Sequence, residues 1–309
     1  MPSFRLLRAL LCRPGFALVI ILAACLVLSC QPRQEKKPGP TGKEPVIFAS
    51  IPPQAYLLKS IAGPEFNIRI LIEPGQDPHH WLPSPKQTLA LHQAVAWFPS
   101  GLPFEKKILS GFENQKASLR VFPPVDSDLP DPQPETESSS DHHHQSDPHS
   151  WMSPPWLIEQ AVATAKALGQ LDPEKAALYR DRANSLGDKI ATLDMQLKQQ
   201  LSPYRGRSFL ILHPALGHFA HTYGLEQNVI QPGDASPDPK RLREIIKQAQ
   251  RDKTATVFTQ PQFDDQSARM VAKAIAGRVA NIDPLAEDVL ANLKQIGDTL
   301  VDTFSQEGP

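Results

Sequence analysis

Along most of the chain, short apolar runs alternate with longer segments whose apolar residues recur every three or four positions. The runs at 46–50, 68–72, 95–99 and 119–122 predict strands, with helices over 54–62, 85–94 and 103–111 between them. A second series predicts strands at 208–212, 228–231, 255–259 and 279–282, with helices over 218–224, 239–250, 266–277 and 287–304. Such alternation is the pattern of α/β layers with largely parallel sheets. Between the two series, 155–168 predicts one helix and 172–201 a longer one. The longer helix has Asp172 as N-cap and Pro173 at its first position. Leu178, Leu186, Ile190, Leu193 and Leu197 keep a helical spacing on one side of it. At about 1.5 Å per residue it would span roughly 45 Å, longer than one small domain needs. The expected fold is α/β with two lobes, each a mostly parallel sheet flanked by helices, joined by one long rigid helix. The boundaries are an N-terminal lobe over 45–171, a linking helix over 172–201 and a C-terminal lobe over 202–309.

Two stretches break the pattern. Arg5, Arg8 and Arg13 precede an uncharged apolar run over 16–28, too short for a usual membrane span of about 20 residues. Residues 1–30 therefore read as a lipoprotein signal peptide and 31–44 as a polar, proline-rich linker. Cys30 is the expected lipidated residue because the linker follows it; Leu22-Ala23-Ala24-Cys25 offers the alternative. Together with Cys12 these are all the cysteines, so an exported domain must hold together without an internal disulfide. The second break, 123–148, is acidic, rich in Pro, Ser and His, and predicts a mobile loop. A formal net charge of −1 with no basic patch argues against a nucleic-acid partner.

The candidate chemistry lies in a motif that occurs twice. Asp77-Pro78-His79-His80-Trp81 and Asp147-Pro148-His149-Ser150-Trp151 share the pattern Asp-Pro-His-x-Trp, and both fall in the N-terminal lobe. His213 stands at the end of a predicted strand before Pro214, and Asp283 at the end of another before Pro284. The carboxyl edge of an open α/β sheet is where ligands bind. Three imidazoles and a carboxylate suit tetrahedral Zn²⁺, and four protein ligands close the shell, which favours capture over hydrolysis. Each residue also has a plainer reading. His213 could be a turn residue, Asp283 an N-cap for the last helix, His80 a solvent-facing neighbour and His92 a helix-surface residue. His218 and His221 share a helical face and form a rival set with His213, against the reading of two polar positions on an exposed helix. His142, His143 and His144, beside Asp141 and Asp147, could hold metal loosely as an auxiliary trap or simply keep the loop soluble.

In this order the motifs resemble the ZnuA-like family, the zinc-binding lipoproteins that serve bacterial ABC importers. The resemblance runs from about Pro45 to Phe304. It is carried by Ile51-Pro52-Pro53-Gln54-Ala55-Tyr56, by Pro74-Gly75-Gln76-Asp77-Pro78-His79, by Asp147-Pro148-His149, by His213-Pro214-Ala215-Leu216-Gly217-His218-Phe219 and by Asp283-Pro284-Leu285. It implies two lobes bridged by a long helix with metal in the cleft, and His79, His149, His213 and Asp283 as ligands. It further implies an extracytoplasmic, lipid-anchored, monomeric protein, periplasmic or at the cell surface. Such a protein hands Zn²⁺ as cargo to a membrane permease with its ATPase, and is not an enzyme. Manganese members commonly carry a carboxylate at the third position, where this chain has His213. Two departures stand out: Gln260 where the family commonly has Glu before Pro261, and His218 at a usually aromatic position. The alternatives are a manganese or iron importer subunit, an adhesin of the same fold, and a metallohydrolase, for which the chain has no His-Glu-x-x-His or Gly-x-Ser-x-Gly motif. Because imidazole binds metal only when neutral, affinity should fall below about pH 6.5. One long linking helix predicts a small lobe movement on release.

Overall fold

Among the described residues, short apolar and mixed runs build eight short strands. The first series is β1 (Val46–Ala49), α1 (Pro52–Ala62), β2 (Asn67–Ile70), α2 (Pro85–His92), β3 (Ala96–Phe98), α3 (Pro103–Glu113) and β4 (Arg120–Val121). All pairings are parallel, in the order β2-β1-β3-β4. After α4 (Pro154–Leu171) and α5 (Ala176–Leu201) the arrangement recurs as β5 (Ser208–Ile211), α6 (Gly217–Tyr223), β6 (Glu226–Val229), α7 (Pro239–Arg251), β7 (Thr256–Thr259), α8 (Gln266–Ala274), β8 (Arg278–Asn281) and α9 (Val289–Glu307). The second sheet has the matching order β6-β5-β7-β8, again parallel. This computed structural model describes residues 44–113, 119–126, 147–233 and 237–307. Cys30, Cys25 and the signal segment lie outside the described residues, as do His142, His143 and His144.

The predicted elements are all present, and the linking helix differs in its start. Pro173–Lys175 forms a 3-10 turn, so the α-helix begins at Ala176 and runs 26 residues, about 39 Å. Asp172 does not cap it; its carboxylate accepts the Tyr179 hydroxyl at 3.2 Å. Leu178 is 38% exposed, and the buried stripe passes instead through Tyr179, Ala183, Leu186, Ile190, Leu193, Leu197 and Leu201. That stripe packs on α4 along its length and touches α1 of the first lobe and α9 of the second. At the α9 crossing, a Cβ on Gly297 would lie 2.3 Å from Leu197 Cδ2, so any side chain there forces Leu197 to shift. At the α1 crossing, Arg182 Nη1 donates to the carbonyls of Ile61 at 3.2 Å and Ala62 at 2.7 Å, satisfying the helix end.

One continuous apolar core joins the lobes. It includes Ile47, Trp97 and Phe98 of the first sheet, the α4–α5 pair, and Phe209, Phe258 and Phe304 of the second lobe. A smaller cluster, with Leu212, Ile230, Val257 and Val271, fills the other side of the second sheet beneath α7 and α8. A wide hinge would have to break the larger core, so this packing favours a small lobe displacement.

Candidate metal centre

The duplicated motif has a local physical cause. Asp77 Oδ1 accepts the backbone N–H of His79 at 2.8 Å, and Asp147 Oδ1 accepts that of His149 at 2.9 Å. Each is an Asx turn, with the intervening proline fixing one backbone angle and the aspartate the next. The tryptophans anchor the turns. Trp81 is buried and meets Phe104 edge-on with centroids 5.0 Å apart. Trp151 is buried and its Nε1–H donates to the carbonyl of Pro284 at 2.9 Å. In the second motif His149 Nδ1 also lies 2.7 Å from Asp147 Oδ1. An ionised carboxylate can only accept, so Nδ1 carries the proton and Nε2 keeps its lone pair for a ligand.

His213 leaves β5, the central strand where the chain order of the second sheet reverses. Ile211 pairs with Phe258 across β5 and β7, and two residues beyond each stand His213 and Gln260. The Gln260 amide continues the ladder: Nε2 donates to the His213 carbonyl at 2.6 Å and Oε1 accepts the His213 N–H at 3.4 Å. Phe263 stacks on the imidazole with centroids 4.3 Å apart and planes 27° apart. Sequence reasoning noticed Gln260 only as a departure from a pattern, and gave no sign of Phe263.

The three rings converge from both lobes. His79 Nε2 and His213 Nε2 are 3.1 Å apart, and these two ring centroids are separated by 4.8 Å. Two nitrogens on a tetrahedral zinc at about 2.0–2.1 Å would lie about 3.3 Å apart, so this pair already has ligand spacing. His149 stands farther off, with centroids 6.1 Å from His79 and 6.4 Å from His213, where about 5 Å would suit a common ion. Among the described residues no three His, Cys, Asp or Glu form a finished ligand cage, in keeping with that gap. Asp283 is half-buried, and its Oδ1 accepts Gln262 Nε2 at 2.7 Å and Leu285 N at 3.0 Å. It does not cap the last helix; Asp288 does, accepting Ala291 N at 3.0 Å.

The site is electrostatically arranged for a cation. Burial, then the neighbouring His79 and His149 charges, push the His213 imidazole from its ordinary 6.5 to about 3, against a smaller pull from Asp147. A base this hard to protonate keeps its lone pair free. Burial alone would raise the Asp147 carboxyl. The His149 charge and its ring and backbone hydrogen bonds outweigh burial and hold the carboxyl below its usual range, with a smaller contribution from His218.

The rival set does not assemble as the helical spacing suggested. His221 is exposed, but His218 is buried, and its Nε2 lies 3.0 Å from the carbonyl of Asp147. His80 is exposed and His92 half-buried. The second motif also reaches across to the second lobe: Trp151 bonds to Pro284 and Asp147 to His218.

A family model described as zinc-uptake complex component A, periplasmic (ZnuA), matches residues 47–304. The high-affinity zinc uptake system protein ZnuA of Paracoccus denitrificans is 27% identical, covering 84% of this chain and 86% of its own length. The zinc-binding lipoprotein AdcA of Streptococcus pneumoniae is 25% identical over 94% of this chain, and the chain spans only 61% of that relative's length. Among solved structures, a crystal structure of ZnuA superimposes with a TM-score of 0.75 at 30% identity, covering 84% of this chain and 99% of the other.

Proposed function

The chain belongs to the ZnuA family of periplasmic zinc-uptake components, and from that premise we propose that it captures Zn²⁺ between its lobes and passes it to an ABC-type permease with its ATPase. It is a binding protein rather than an enzyme in this reading, monomeric, extracytoplasmic and held at the membrane through lipid on Cys30. His79, His149 and His213 supply nitrogen through Nε2, and Asp283 supplies a carboxylate oxygen.

The observation that carries the proposal is the 3.1 Å approach of His79 Nε2 to His213 Nε2 across the cleft. Two imidazole nitrogens this close can share one proton, and a divalent cation takes that proton's place. Bringing His149 about 1 Å closer would complete a nitrogen triad. An all-nitrogen triad favours zinc over manganese, which prefers more oxygen.

The test is metal analysis of protein purified without a polyhistidine tag, followed by competitive titration with Zn²⁺ and Mn²⁺. One equivalent of zinc, zinc binding tighter than manganese and loss of both in His79→Ala are expected. Tighter manganese binding, or unaltered zinc binding in His79→Ala, overturns the assignment.

A further inference from the structure

We infer that His218 is a positioning residue for the second ligand, holding His149 to the C-terminal lobe by a hydrogen bond to the main chain of its turn. This inference rests on the ligand set proposed above. His218 lies on α6, which begins soon after His213, and is only 8% exposed. Its Nε2 is 3.0 Å from the Asp147 carbonyl oxygen. A carbonyl can only accept, so Nε2 bears the proton and is committed to that bond rather than to a metal.

The contact relays directly to the ligand. Asp147 presents its carbonyl to His218 and, through the same residue, its Oδ1 to both the backbone and Nδ1 of His149. Two further contacts fix the same turn to the same lobe. Trp151 Nε1 donates to Pro284 O at 2.9 Å, and the Ser153 hydroxyl lies 3.4 Å from that of Thr222, one helical turn from His218. Thr222 in turn donates to the His218 carbonyl at 2.7 Å. The turn of His149 is thus bonded to the lobe that carries His213, while His79 belongs to the β2–α2 loop and is tied to Asp77 of its own turn. An aromatic ring without a donor at position 218 could pack in the same volume but would leave the Asp147 carbonyl unpaired.

The experiment compares His218→Phe and His218→Gln with His149→Ala and the His218→Phe/His149→Ala double variant, using full-length protein. Zinc affinity is read by chelator competition, and ligand number by the visible absorption of bound Co²⁺. His218→Phe is expected to weaken zinc about tenfold, the lower end for outer-shell partners of a metal ligand, and to weaken the four-coordinate cobalt bands. His218→Gln, which keeps a donor, should recover most of the loss. In the His149→Ala background, His218→Phe should add little, because the ligand it positions is gone. Wild-type affinity in His218→Phe, or an equal further loss in the double variant, overturns the inference. If His218→Phe fails to fold, an affinity for His218→Gln as poor as that of His149→Ala overturns it equally. Unchanged zinc binding in His149→Ala would instead strike the ligand assignment itself.

Discussion

Replacing Asp147 isolates how much of zinc affinity comes from a residue that never touches the ion. Its side chain is 2% exposed, and Oδ1 accepts two bonds, 2.9 Å from His149 N and 2.7 Å from His149 Nδ1. Among the described residues its Oδ2 has no hydrogen-bond partner, so His149 supplies the main compensation of its buried charge, with a smaller contribution from His218. A hydrogen bond to a charged group contributes about 1.5–3 kcal/mol. Asp147→Asn keeps an oxygen at Oδ1, because the His149 N–H demands an acceptor there, but it removes the charge. Retaining roughly half of one such bond implies a loss of about 1–1.5 kcal/mol, close to tenfold in zinc dissociation constant. Asp147→Ala removes both bonds and lets the ring rotate and change tautomer, so the loss should approach 100-fold, the upper end for outer-shell partners. The assay is competition against a chromophoric chelator at pH 7.5, with thermal unfolding of the metal-free proteins as a control for folding. The ordering is the sharp part. Asp147→Ala within twofold of wild type, or binding more tightly than Asp147→Asn, would refute the claim that this carboxylate fixes the His149 tautomer.

Other outcomes follow from named contacts. Between about pH 6.5 and 3 the metal-free protein should lose stability as pH falls, since His213 takes a proton when unfolded but resists it to about 3 when folded; His213→Phe should flatten that part of a denaturation-versus-pH curve. Gln260→Glu should weaken zinc binding about tenfold and lower the melting temperature, because Gln260 is 2% exposed and a carboxylate cannot donate to the His213 carbonyl; a wild-type melting curve and affinity would refute its role. Gly297→Val should destabilise by about 2 kcal/mol or more by driving a side chain into Leu197, visible as a lower denaturant midpoint with an unchanged zinc-to-protein ratio. Lys59→Met should matter little, within about 1 kcal/mol in the same denaturation, since its ion pair with Glu287 has side chains 46% and 47% exposed.

Much of the fold was legible because hydrophobic periodicity is a local property. Strands such as Val46–Ala49 and helices such as Pro85–His92 carry their own patterns and stop signals, and Ser84 with Gln87 forms a capping box at the latter. The linking helix was misjudged at its start because Asp172-Pro173 is a good cap signal in isolation, yet the Asp172 carboxylate is taken by Tyr179. Its stripe was misjudged at Leu178 because only packing on α4 decides which of two adjacent apolar residues faces inward. The plainer alternative for Asp283, an N-cap for the last helix, falls to Asp288 instead.

By itself, the amino-acid sequence determined two α/β halves, a helical connection and a short list of imidazoles, because alternation, proline turns and histidine chemistry are written residue by residue. It could equally well describe why Asp-Pro-His makes a stiff turn. Which histidines meet was decided only by the tertiary structure. His79 and His213, separated by most of the chain, reach 3.1 Å because one core binds both sheets to the α4–α5 pair. His218 became a buried donor to Asp147 rather than a surface residue because α6 folds against the second motif. Partner identity in a cleft depends on distances between segments remote in sequence, and no local pattern encodes those.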